Sequence, residues 1–388
     1  MYFQSKNKHQ TDSVEPRRQI TAEAENSSMD YRAEELKDSN ASDWEQTNQN
    51  NIDGTLFHTL RWKQTLERSF GFKAHYFLIY RNNRPVALCP FYQRTMRGFL
   101  GLVSLPDAAV NPYDHLIVTD KDSLPLTRIL RKCVDIARIH DLSFVAFGVR
   151  EDLAWRFLRL GVPLHFAGGN MILDLDENPP DRIWRQFSRK LRKGIRRFDR
   201  QGYVLDEVSS TDDLEKFYRF YQTNLNRIGA NPHPVRHFEE LMRAYSGRSP
   251  PELMWTLLRR NEEVAGGLLS LLCHAKRTMY MRYLSLNRAI PAGYTPSYYL
   301  DWHAVRKASE LGCRIVNFGG TSPDPDDVRR RMKAKFGCRY EKRYMAILPS
   351  STPFKFAYYA RRFLAGDGFR GVFRWNNFLK KRASTALN

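Results

Sequence analysis

Two stretches of this chain read alike at a fixed distance. Ala137 to Gly148 (ARIHDLSFVAFG) aligns with Ala308 to Gly319 (ASELGCRIVNFG) at an offset of 171 (319 − 148), each a helical end running into a short apolar strand. The hairpins upstream repeat too, Val86-Ala87 matching Val264-Ala265 at an offset of 178 (264 − 86). Only seven residues of insertion separate the two registers. Similarity of whole helix and strand units at two offsets this close reads as tandem copies of one α/β (α+β) unit, a sheet flanked by helices, with chance likeness of helix–strand junctions as the alternative. The first copy places Trp62, Leu66 and Phe70 at helical spacing, then strands at 76–80 and 86–92 around an Asn82-Asn83 turn. A helix at about 123–140 and a strand at 142–147 follow. The second copy repeats the order: strands at 254–258, 264–273 and 278–284, a helix at about 296–311 and a strand at 314–318.

Length and composition agree with this reading. At 388 residues each copy is long enough to bury its own core, and 42% apolar residues exclude a mainly disordered protein. No uncharged run reaches the roughly 18 residues of a membrane-spanning helix. Residues 1–50 are acidic, with ten Asp or Glu against six Lys or Arg, and read as a disordered leader in which Tyr2-Phe3-Gln4-Ser5 looks like a cloning remnant. The net charge of +20 is therefore +24 over residues 51–388. Such a surplus favours phosphate-rich partners, nucleic acid or an anionic lipid surface, although a generally basic enzyme surface accounts for it as well. The expected organisation is a leader at 1–50, a first unit at 51–176, a second at 177–350 and a basic, aromatic tail at 351–388. Five scattered cysteines with no C-x-x-C, and His233 and His237 interrupted by Pro234, suggest neither a disulfide framework nor a metal site. A reducing compartment follows, cytoplasmic or peripheral at the inner face of a membrane.

Between the copies, residues 181–200 read as one amphipathic helix. Trp184, Phe187, Leu191, Ile195 and Phe198 line one face. The other crowds Lys190, Arg192, Lys193, Arg196 and Arg197 among further arginines, with only Asp199 opposing them. A solvated face explains a charge run in general. One-signed crowding works against the helix and so points to bound phosphate, RNA in the first instance. In the tail, rings from Phe354 to Phe378 alternate with Lys and Arg, which suits either a lipid headgroup boundary or a helical pair packed on the second unit.

In order and spacing these segments resemble the FemABX peptidyltransferases and the related BioF/CelD-like acetyltransferases, built from tandem GNAT folds. The likeness spans about residues 57–348. It rests on Phe57 with Trp62, on Ala87 to Tyr92, on Leu102 to Pro106, and on Lys193-Gly194-Ile195-Arg196-Arg197 followed by Gly202-Tyr203-Val204. The closest correspondence runs from Trp302 through Gly312-Cys313-Arg314 and Asn317-Phe318-Gly319-Gly320 to Met332-Lys333-x-x-Phe336-Gly337. The resemblance implies two GNAT-like units and transfer of an acyl or aminoacyl group to an amine. The donor it implies is aminoacyl-tRNA or a coenzyme A thioester, with no permanently bound cofactor. Coenzyme A users of this fold carry R/Q-x-x-G-x-G/A before the helix, whereas Arg288-Ala-Ile-Pro-Ala-Gly293 misplaces the glycines, which favours tRNA.

Acyl transfer to an amine needs a neutral nucleophile and a stabilised oxyanion. No G-x-S-x-G elbow or Cys/His signature marks a covalent intermediate, so direct attack by the acceptor is the simplest route. Lys333 occupies the family's motif lysine and is the expected cation, with Tyr283 and Asp301 as proton handlers by position. Arg288, Gly293 and Thr295, ahead of a helix start at Pro296, are expected to meet a donor phosphate, and Gly319 and Gly320 to let the chain's backbone approach the donor closely. An ordinary helix cap and a tight turn explain the same residues. Asp324, Asp326 and Asp327 read either as ligands of a cationic acceptor or as a helix cap. The acceptor is expected to bear an amine, lipid-linked and belonging to envelope synthesis. The alternatives are an acyl-CoA N-acyltransferase of exopolysaccharide or envelope synthesis and a non-catalytic RNA- or membrane-binding protein of the same fold.

Overall fold

The computed structural model describes residues 31–105, 115–119, 123–290 and 295–364. The chain opens with β1 (Tyr31–Glu35), α1 (Ala41–Asn50) and α2 (Leu60–Phe70). The antiparallel run β2 (Ala74–Arg81), β3 (Arg84–Met96) and β4 (Phe99–Ser104) follows, with β5 (Ile117–Val118) beyond it. Then come α3 (Ser123–Ile139), β6 (Phe144–Arg150), α4 (Ala154–Arg159) and β7 (Leu164–Asp174). The second copy begins with α5 (Pro180–Gln186), α6 (Arg189–Arg200), β8 (Val204–Glu207), α7 (Thr211–Arg227) and α8 (Val235–Tyr245). It continues through β9 (Leu253–Arg260), β10 (Glu263–Cys273), β11 (Thr278–Leu286), α9 (Pro296–Glu310) and β12 (Ile315–Thr321). It closes with α10 (Val328–Ala334), β13 (Arg339–Pro349) and α11 (Thr352–Leu364).

The described strands form one sheet in the order β1-β2-β3-β4-β6-β13-β7-β12-β11-β10-β9-β8, with β5 beside β3. β6 lies parallel to β4 through Leu102↔Val145, and β12 lies parallel to β11 through Met279↔Val316. Val145 and Val316 are 171 residues apart (316 − 145), so the strands matched by the sequence repeat hold equivalent places. The closing strands are exchanged. β13 runs antiparallel between β6 and β7, while β7 runs antiparallel between β12 and β13. Each half of the sheet is thus completed by a strand from the other copy, and a cut at 176–177 divides the chain without dividing the packing.

The leader expectation is corrected over residues 31–50. β1 pairs with β2 from Tyr31↔Arg81 to Glu35↔Phe77. In α1, Trp44 is fully buried, stacks on Tyr76 with ring centroids 4.7 Å apart, and donates its indole N–H to His58 O. The acids that made the segment look solvated tie it down: Asp43 accepts from the Tyr80 hydroxyl, and Glu45 from the Leu60 N–H. One tryptophan with specific polar ties leaves no apolar period to read.

The 181–200 segment is likewise two helices. Phe187 and Ser188 are extended, and Ser188 Oγ accepts from Leu191 N–H to start α6 afresh. Phe187, Leu191, Ile195 and Phe198 are buried together under α9 as expected, but the break rotates α5 so that Ile183 joins them and Trp184 is only half-buried. On the opposite face of the sheet, Trp44, Phe57 and Trp62 of the first copy share one core with Phe217, Phe238, Trp255 and Tyr283 of the second.

Parallel neighbours in both halves part early, β4 and β6 after two residue pairs, β11 and β12 after three. Diverging strands leave a wedge with unspent backbone groups. In the first half the chain fills its own wedge: His115 bridges Gly148, and Ile117 and Val118 pair with Leu88 and Ala87 of β3. In the second half no described strand takes that place.

Candidate active site

The wedge between β11 and β12 is bordered by α9, the end of β12 and α10. Pro296 stands in the first turn of α9, where its missing N–H costs no hydrogen bond. The helix buries Tyr299, Leu300, Trp302 and Val305 against Met279, Val316 and Phe318, and Asp301 is carried inside with them, only 4% exposed. Near the end of β12 the register with β7 shifts between Asn317 and Gly320, and Gly319 there has a φ of +77° that belongs to glycine. Gly320 has no such need, since an added Cβ there would meet neighbours only at ordinary contact distance.

Asp327 then caps α10, its Oδ1 accepting from the N–H groups of Arg329 and Arg330 at 3.0 Å each. Despite the opposing effect of burial, these bonds and the Arg329 charge hold its carboxyl below the usual range. The capping alternative therefore describes Asp327. One turn of helix later Lys333 points back at the strand, its Nζ donating to Phe318 O at 2.7 Å. Phe336 fixes this geometry: it is fully buried between the rings of Phe187 and Phe318, and Gly337 turns the chain at φ +84° against Asn178.

Lys333 and Asp301, named separately from sequence, meet here. Asp301 has no hydrogen bond among the described residues, and burial pushes its carboxyl up to about 7 against the attraction of Lys333. Burial pulls the Lys333 ammonium down, and Asp301 opposes that. Cys338 completes the cluster; burial raises its thiol, and Lys333 only partly offsets this. Sequence reasoning missed Cys338 because nothing in its spacing marks it. An acid about half protonated near neutrality beside an enclosed ammonium can both take up and return a proton. The bond to Phe318 O takes one of the three ammonium N–H groups.

Tyr283 is not part of this cluster, which corrects its expected role. The β10/β11 register shifts so that Leu269 faces Tyr283 and Ser270 faces Met281. That bulge turns Tyr283 to the opposite face of the sheet. There it is buried, and its hydroxyl bonds His237 Nε2 at 2.8 Å, with Ser69 Oγ on the other ring nitrogen at 3.1 Å. Burial raises the Tyr283 phenol and lowers the His237 imidazole, so both stay neutral as a structural tie between the copies.

Of the expected donor contacts, Gly293 lies outside the described residues. Arg288 is exposed after β11, its pKa lowered by partial enclosure and by the like charge of Arg227. Thr295 is the N-cap of α9 without a side-chain cap bond. A Cβ on Gly194 would lie 3.6 Å from Thr295 Oγ1, so the middle of basic α6 abuts the start of α9. On α6, Lys190, Lys193, Arg196 and Arg197 are exposed. Arg192 folds back to donate to Trp184 O and Arg185 O, and Arg196 lies over the Trp184 ring at 5.3 Å. Arg192 is thus committed to the fold, and the outward charge is carried by the exposed lysines together with the exposed arginines of α6.

A mixed sheet whose parallel central strands splay, repeated once in the chain, defines a protein of two GNAT-like units. Residues 185–331, from α5 to α10, match the family model described as acetyltransferase (GNAT) domain. The crystal structure of FemX superposes with a TM-score of 0.62 at 14% identity, over 82% of this chain and 97% of that one. A tandem GNAT protein from the clavulanic acid biosynthesis pathway gives 0.54 at 12%, over 83% and 99%. The C-terminal domain of a putative lysylphosphatidylglycerol synthetase from Agrobacterium fabrum gives 0.51 at 13%, over 80% and 92%. No curated protein matches the sequence.

Proposed function

We propose that the protein is an acyltransferase that moves an aminoacyl group from aminoacyl-tRNA to an amine acceptor in envelope synthesis, with the chemistry in the second unit. The observation that carries this reading is the enclosed Asp301 and Lys333 pair beside the wedge between β11 and β12, Asp301 inside the segment 185–331 that matches the GNAT domain and Lys333 just beyond its end. The acceptor nitrogen attacks the ester carbonyl, and the new C–N bond forms as the carbonyl oxygen takes up negative charge. Lys333 stabilises that charge. Asp301 accepts the proton leaving the nitrogen and returns one to the departing ribose oxygen as the C–O bond breaks. Exposed Lys190 and Lys193, on the helix abutting the start of α9, suit a polyphosphate donor. The lysylphosphatidylglycerol synthetase fold neighbour fits an aminoacyl group and a lipid-borne acceptor.

The GNAT domain match favours a second reading, an acyl-CoA donor with the same pair. Incubating the protein with labelled aminoacyl-tRNA or acyl-CoA and a panel of amines separates the two. Acceptor-dependent loss of the tRNA ester supports the first, and consumption of the thioester alone the second. Lys333→Met should lower turnover by roughly 10²-fold or more with the fold retained. Binding of tRNA with neither donor consumed would leave a non-catalytic binding protein.

A further inference from the structure

Helix α11 has one face committed to protein. Phe354, 5% exposed, stacks on Phe144 with centroids 4.8 Å apart and meets Phe99 edge-on at 5.2 Å. Tyr358, one turn on, stacks on Phe354, and its hydroxyl bonds His165 Nε2. Phe99 and Phe144 come from β4 and β6 and His165 from β7, while Ile347 of β13 joins Phe354 in the same cluster, so the helix packs on strands of both copies. Two rings at i and i+4 fix the roll of the helix. The roll turns Phe356 outward, 77% exposed, with Tyr359 at 44%. Lys355 and Arg361 are exposed beside them.

Along the chain, the flanking stretches carry one sign of charge. No Asp or Glu occurs from Lys342 to Gly366, nor from Arg68 to Pro106, the stretch holding the β3–β4 hairpin on which Phe354 packs. Residues 365–388, which follow the helix, add three phenylalanines, one tryptophan and five Lys or Arg against the single Asp367. Exposed rings on a helix whose own charged residues are all cations are complementary to a surface that is apolar below and anionic above. No described helix is long and apolar enough to cross a bilayer. We propose that the outward face of α11 docks on an anionic lipid surface, Phe356 and Tyr359 entering the headgroup boundary and the flanking cations meeting lipid phosphate. This stands apart from the transfer chemistry and does not depend on it.

Flotation of the full chain with phosphatidylcholine vesicles, with and without phosphatidylglycerol, tests the proposal. The protein should float with the anionic vesicles, each basic side chain at the surface contributing about five-fold in partitioning. Phe356→Asp with Tyr359→Asp should reduce flotation by roughly ten-fold or more, and its melting temperature should match the parent because both rings are exposed. Lys193→Gln with Arg197→Gln should float like the parent. Unchanged flotation of the Asp pair, equal flotation on neutral vesicles, or loss confined to the α6 pair would overturn the proposal. So would loss of tRNA affinity in the Asp pair with flotation intact, which would reassign the face to RNA.

Discussion

Asp301→Asn tests the buried pair through stability, without any assumption about substrate. In the folded protein the carboxyl titrates at about 7, against an ordinary value of 3.8, with burial as the cause and Lys333 as the partial offset. A raised acid pKa means that the folded state holds the proton more tightly. Its contribution is fully present below the ordinary value and is lost as pH rises through the folded one. At 1.36 kcal/mol per pH unit, this group alone removes about 3 kcal/mol between about pH 5 and about pH 8. Asparagine has nothing to ionise and loses none of it. Urea denaturation followed by tryptophan fluorescence across that range should therefore give converging curves, with the variant gaining on the parent as pH rises. Lys333 and Cys338 face Asp301, and Arg329 and Asp327 act on Lys333 from the same helix. The same comparison in a Lys333→Met background, with the offsetting cation gone, should steepen the parent slope. Parallel stability curves for parent and Asn variant would refute the reasoning, because the carboxyl would then titrate alike in folded and unfolded chains.

If α6 binds tRNA, replacing Lys193 and Arg197 by Gln should flatten the plot of log affinity against log salt by roughly 1 to 2 units; an unchanged slope would leave α6 a solvated face. Trp44→Ala should cost about 3–5 kcal/mol in urea denaturation, since the indole is fully buried on Tyr76; a neutral result would restore the view of residues 31–50 as a leader.

What the sequence by itself determined was the architecture of the repeat and the two ends of the site. The offset between Val145 and Val316 is a property of helix and strand periods, and periods are local, so it passes into equivalent parallel pairings. The segment from Met332 to Gly337 is equally local: a short capped helix, a ring to pin it and a glycine to turn it place Lys333 against β12. Residues 31–50 were illegible because Trp44 and its polar ties satisfy partners fourteen or more residues away, with no period of their own. Tyr283 was misplaced because a single bulge reverses which face a strand residue occupies, and alternation cannot register a bulge. The exchange of β7 and β13 was decided by pairings between chain segments far apart in sequence, chosen by which edge each strand finds free. The meeting of Asp301, Lys333 and Cys338 belongs to the same level. Each is an ordinary surface-type or core-type residue in its own segment, and only the packing of α9 against α10 buries them together and shifts their proton affinities.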